Sequence, residues 1–181
     1  MLRFFLVFFL GCVSFVGKSQ SIEIEDFIGT YAGEMLLINQ GKNTSNTAQV
    51  TLDFQEVKKD SIWTYQMTYK SLTLGSMSKD YEIQRLQGGQ LQTDEKNGIV
   101  ISISLLDDCL YEFYESDEMY FTVTLRKNKK KILFELTCLP KWNKKEAFVA
   151  GETPLTITSY MTTVVQKAIL KPLRKLSRGR F

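Results

Sequence analysis

The chain of 181 residues contains no histidine. That absence excludes a Ser-His-Asp triad, a Cys-His nucleophile, histidine-ligated zinc and histidine-ligated haem together. No P-loop, dinucleotide-binding fingerprint or Cys-x-x-Cys pair is present; Gly88-Gly89-Gln90 has neither the spacing nor the helix that such motifs need. Proline and cysteine occur three times each. No stretch of ten or more residues shows a convincing helical stripe. Residues 162–173 could start one, but their β-branched content favours a final strand ending at Pro172. No cofactor and no metal ion is expected from this inventory.

The first nineteen residues read as a leader. Arg3 gives a short basic start, an apolar run follows from Phe4 to Val16, and Gly17 and Ser19 stand at −3 and −1 of a cut before Gln20. This is the layout of a secretory signal peptide, and the run is shorter than the roughly 20 residues a permanent span requires. The expectation is an exported protein, periplasmic or secreted. Phe9-Leu10-Gly11-Cys12 also resembles a lipobox, in which Cys12 would be acylated and hold a membrane-anchored lipoprotein.

Charge is close to even, with 23 basic and 20 acidic residues. Five of the basic groups (Lys171, Arg174, Lys175, Arg178 and Arg180) crowd into residues 171–181, leaving residues 20–170 mildly acidic. A nucleic-acid binder would show a basic face on its folded body, so no nucleic-acid partner is expected. The tail reads as a solvated terminus, with peripheral attraction to an anionic membrane surface as its functional alternative. The boundaries are therefore a signal peptide at 1–19, one domain at 20–170 and a basic tail at 171–181. Nothing in the sequence sets the oligomeric state.

What the sequence does have is aromatics, twelve Phe and eight Tyr, and alternation with period two. Val50, Leu52 and Phe54 alternate with polar residues, as do Trp63, Tyr65, Met67 and Tyr69, then Ile99, Ile101 and Ile103. Met119, Phe121, Val123 and Leu125 follow, then Ile132, Phe134 and Leu136. Polar turn segments separate these runs, among them Asn97-Gly98. Nine or ten strands, each with one apolar face, imply an antiparallel sheet that must curl, split or close. An up-and-down β-barrel of about eight to ten strands is the first choice, because closure removes exposed edges; a β-sandwich is the second.

Two surviving cysteines, Cys109 and Cys138, would invite a disulfide in an oxidising compartment. If 109–115, 119–125 and 131–138 form a meander, the two lie about 20 Å apart along the strand direction, well beyond the roughly 7 Å that a bridge allows. Both are expected reduced. The acidic groups Asp94-Glu95, Asp107-Asp108, Glu115, Asp117 and Glu118 lie in turn sequences, where solvent keeps carboxylates ionised; no catalytic role is read into them.

Near the start of the domain, Gly29-Thr30-Tyr31-Ala32-Gly33 places two glycines on the same parity as Phe27, Tyr31 and Met35. Glycine lets a first strand bend and lets another backbone approach closely. Here the chain resembles the lipocalin and fatty-acid-binding-protein superfamily, the calycins, whose first strand often carries Gly-x-Trp; Gly29-Thr30-Tyr31 has Tyr in place of Trp. The resemblance implies a basic residue on the last strand packing over that ring, and Lys167 stands in the comparable place. It is nearer to a bacterial exported lipocalin-like domain than to a vertebrate lipocalin.

Inward aromatics either fill such a barrel or line a cavity. The residues singled out for a ligand-lining role are Tyr31, Trp63, Tyr65, Met67, Tyr69, Phe113, Phe121 and Phe134. The functional expectation is a non-enzymatic exported protein holding a small apolar or amphipathic ligand. The alternative is a structural or protein-interaction domain of the cell envelope with a filled barrel.

Overall fold

Alternating apolar residues separated by short polar turns become twelve strands and one 3-10 turn in the computed structural model, which describes residues 22–41, 46–71, 75–150 and 154–173. The leader, Cys12 and tail residues 174–181 lie outside the described residues. In chain order come β1 (Gly29–Asn39), β2 (Asn46–Lys58), β3 (Ile62–Ser71), β4 (Gly75–Arg85) and β5 (Leu91–Asp94). They are followed by β6 (Val100–Leu106), β7 (Cys109–Ser116), β8 (Met119–Asn128) and β9 (Lys131–Pro140). Each pairs antiparallel with the next. The last strand, β12 (Val164–Pro172), lies between β9 and β1 and closes a barrel of ten strands. The chain thus forms the antiparallel barrel expected from the alternation, and not the sandwich.

Between β9 and β12 the chain makes an excursion that the alternation did not announce. β10 (Lys144–Val149) and β11 (Leu155–Tyr160) pair with one another and, among the described residues, with no barrel strand. The hairpin rises from the rim where β1, β3, β5, β7 and β9 end; this rim is called the mouth.

The opposite rim is closed. A 3-10 turn, Ile24–Phe27, buries both of its apolar ends. The Phe27 ring lies 6.0 Å from that of Phe54. Phe54 and, beneath it, Leu52, Trp63, Ile83, Ile132 and Leu170 are all essentially inaccessible. Burial of side chains this size stabilises by about 1.5–3 kcal/mol each, so this half of the barrel holds the apolar core.

Gly33 sits where β12 closes on β1. A Cβ there would lie 2.4 Å from the carbonyl oxygen of Ile169, so only glycine allows the approach. The β1–β12 ladder is interrupted at Gly33 and Glu34 and resumes at Met35 opposite Ala168.

The basic residue over Tyr31 is not Lys167. Lys167 shares the outward parity of Ile169 and pairs with Glu135 on the barrel exterior at 3.3 Å. Lys127, at the closed end of β8, takes the place: its Nζ lies 5.0 Å from the Tyr31 ring centroid and donates a 2.8 Å hydrogen bond to the Tyr31 hydroxyl. Parity decides this, because Lys127 continues the inward series Val123 and Leu125, whereas Ala168 and Leu170 are the inward residues of β12.

Cys109 and Cys138 are both free and buried. Cys138 shares the inward parity of Phe134 and Leu136, and Cys109 the outward parity of Tyr111 and Phe113, so the wall separates them. Burial pushes both thiols above their usual range, which makes them poor nucleophiles.

Candidate functional site

The mouth half of the barrel is hollow. A cavity of about 450 Å³ lies above the filled core, lined on its apolar side by Met35, Met67, Val123, Phe134 and Leu136. Exposed Asn46, Thr47, Gly75, Met77 and Lys79 also border it, so it reaches the surface. The core and the hollow come from the same inward parity. Toward the closed end that parity carries Phe54, Trp63, Ile83 and Leu170; toward the mouth it carries smaller or more polar groups such as Ala48, Asn46 and Gln166.

The wall is split beside the cavity. β6 and β7 pair from Leu106–Cys109 only as far as Ile103–Glu112. β5 ends at Asp94, opposite Glu82, so the mouth half of β4 has no partner on that side. Between β4 and β7 the barrel therefore opens laterally, and Tyr81, Glu95 and Tyr114 border the gap.

Four tyrosines and a glutamate supply the polar part of the cavity. Tyr65 and Tyr81 stack with centroids 4.6 Å apart, and Tyr69 and Tyr114 stand nearby along the wall. Glu112, on the inward parity of β7 between Leu110 and Tyr114, lies at the floor. Its Oε1 accepts from Thr93 Oγ1 at 2.9 Å and, at 3.4 Å, from Tyr65 Oη. Burial raises the Glu112 carboxyl above the usual glutamate value of 4.5, against the opposing pull of those two donors. Burial likewise pushes the Tyr69 and Tyr114 hydroxyls up to about 12 and raises those of Tyr65 and Tyr81 well above their ordinary value, so all four remain neutral donors in ordinary buffers.

The residues singled out from the sequence separate into four groups. Tyr65, Met67, Tyr69 and Phe134 border the cavity. Tyr31 and Trp63 lie in the closed-end core, Tyr31 under Lys127 and Trp63 under Arg85, whose guanidinium carbon is 5.0 Å from the indole centroid. Phe121, on the inward parity of β8, pairs with Tyr114 and stacks on its ring at 5.1 Å, but does not itself border the cavity. Phe113 corrects the expectation outright. It is 69% exposed and stacks on Tyr120 on the barrel exterior, because the inward parity of β7 is Leu110, Glu112 and Tyr114.

Glu112 was missed by sequence reasoning, since a charged residue in a strand is normally assigned to the wet face. The signal was its place between Leu110 and Tyr114 on the inner parity. Glu95, read as a solvated turn acid, borders the cavity. At the closed end Glu25, Glu56 and Asp60 bring carboxylate oxygens within 4.8 Å of one another, but Glu56 and Asp60 are exposed and Glu56 Oε1 accepts the Asp60 backbone N–H, an ordinary solvated turn.

No protein-family model and no curated protein matches the sequence. Among solved structures, a protein of unknown function of the DUF3598 family from Nostoc punctiforme superimposes with a TM-score of 0.58 at 9% identity, over 84% of this chain and 50% of that one. The chain thus spans about half the length of the cyanobacterial protein. A point variant of the fluorescent protein UnaG gives 0.44 at 10% identity, covering 82% of this chain and 98% of that one. Lobster apocrustacyanin A1 gives 0.34 at 9% identity, covering 85% and 64%. The likeness to the cyanobacterial protein is one of fold. In the ten-stranded barrel, glycine at the first strand and a cation over the Gly-x-aromatic ring are both present, with the cation delivered from β8 rather than from the last strand.

Proposed function

We propose that this chain is an exported, non-enzymatic binding protein that holds a small apolar or amphipathic molecule in the mouth half of its barrel. The observation that carries the reading is the cavity of about 450 Å³, mostly apolar and open to the surface, within the range of small-molecule sites. A barrel acting only through its outer surface has no need of that hollow, and filling it would add dispersion contacts at every wall. Export rests on the layout of residues 1–19, and predicts Gln20 as the mature N-terminus, or an acylated Cys12 if the lipobox is used.

The test uses the neutral fluorescent probe N-phenyl-1-naphthylamine on the purified mature protein. Wild type is expected to bind it with enhanced emission. Ala48→Trp, which places an indole into the cavity from β2, is expected to weaken that binding by at least about tenfold while the far-ultraviolet circular dichroism stays that of a β-barrel. Equal binding by both proteins would place the probe elsewhere and remove the support for an internal site.

A further inference from the structure

The polar floor of the cavity has a sign. Among the described residues, Glu112 pairs with no lysine or arginine. Among the described residues both hydrogen bonds to it fall on Oε1, which leaves Oε2 for whatever occupies the space above it. Of the other charged groups that border the cavity, Glu95 has the same sign, and Lys79 belongs to the exposed mouth half of β4. The rest of the polar lining near Glu112 is aromatic: Tyr65 and Tyr81 as a stacked pair, with Tyr69 and Tyr114.

A half-buried carboxylate without a counterion is costly, and the cost is relieved when a cation reaches it. Aromatic faces add to the attraction for the same sign of charge, because the ring quadrupole is negative over its face. An anionic headgroup would instead meet a carboxylate in a poorly solvated site, with no guanidinium or ammonium at the floor to receive it.

We infer that the cavity takes a cationic amphiphile, an amine or quaternary ammonium whose charged head sits against Glu112 among the four tyrosines and whose apolar body lies along Met35, Met67 and Leu136. This rests on the binding reading above and gives it a ligand class. The lateral gap between β4 and β7 passes Glu95 and Tyr81 before reaching Glu112, so a cationic head entering there meets a carboxylate at the edge and a second at the floor.

The experiment measures displacement of N-phenyl-1-naphthylamine from the mature protein by octylamine, octyltrimethylammonium, octanol and octanoate, which share one apolar chain and differ in head charge. Both cations are expected to displace the probe at about tenfold lower concentration than octanol, and octanoate to be the weakest. In Glu112→Gln, which keeps an oxygen for Thr93 and Tyr65, the cations are expected to fall about tenfold to the level of octanol, with octanol itself unmoved. Octanoate binding as well as octylamine in wild type overturns the inference while leaving the hollow-barrel reading intact. So does a preference for cations that survives in Glu112→Gln. If the probe and all four octyl compounds fail to bind, the binding reading falls and this inference with it. The comparison of heads on wild type needs no variant, so a Glu112→Gln protein that failed to fold would not leave the proposal unexamined.

Discussion

Lys127 serves Tyr31 twice, lying over the ring and donating to its hydroxyl, on a half-buried stretch of the closed end. A cation held both by an aromatic face and by a hydrogen bond contributes more than an exposed ion pair. Lys127→Met is therefore expected to cost about 1–2 kcal/mol in urea unfolding. Lys167→Met, which removes only the exterior pair with Glu135, is expected to stay within about 0.5 kcal/mol of wild type. Equal costs would show that the cation over Tyr31 is not a structural tie. The sequence resemblance located the ring correctly and its cation incorrectly. Gly29-Thr30-Tyr31 is a contiguous signal, whereas the residue over the ring is chosen by the parity of a strand almost a hundred positions away. Glu112 escaped for a related reason: hydropathy ranks a residue type, and the inner wall of a hollow barrel contains positions where that rank misleads.

At the scale of elements, the hairpin β10–β11 stands apart. Among the described residues it pairs only with itself, and its outer half exposes Phe148, Val149, Leu155 and Ile157, each at least half accessible. Its base is joined to the barrel by the Tyr160 ring, edge-on to Tyr120 at 5.0 Å, while the Met161 N–H donates to the Asn143 carbonyl across the hairpin's own foot. Replacing residues 144–160 by a short Gly-Ser turn is expected to leave the barrel folded, with a thermal midpoint within a few degrees of wild type, about 1 kcal/mol or less. A collapse of the circular dichroism signal would show that the hairpin is needed to close the seam between β9 and β12. The barrel strands were legible because each has one wet and one dry face, as in the Trp63–Tyr69 run. The hairpin was not, because Leu155, Ile157 and Phe148 look like core residues by composition and yet have no sheet beneath them. β4 was similarly faint, since its mouth half borders a hollow and a gap, and its inward positions 77 and 79 are a methionine and a lysine.

The whole molecule inherits a dependence on pH from one side chain. Glu112 has its carboxyl raised by burial, so the folded chain holds that proton more tightly than the unfolded chain does. Stability contributed by this group is then full below the unfolded value and is lost as pH rises toward the folded one, the reverse of a salt-bridged carboxylate. Glu112→Gln is accordingly expected to gain thermal stability relative to wild type on going from about pH 4 to about pH 7.5, and to match it most closely at the acid end. A difference that shrinks with rising pH would mean that the carboxylate is stabilised as an ion. Closure itself was legible at this scale, since ten alternating strands leave two edges and Gly33 marks where one of them accepts the other. The division into a packed half and a hollow half was not, because it depends on how side-chain volumes add up across ten strands at one height.

Because β1 begins and β12 ends at the sealed rim, with Tyr31 opposite Pro172, both flanking segments depart from the base of the cup. A handle or fluorophore joined at Ile22 or Leu173 is therefore attached at the base, on the far side of the vessel from its opening.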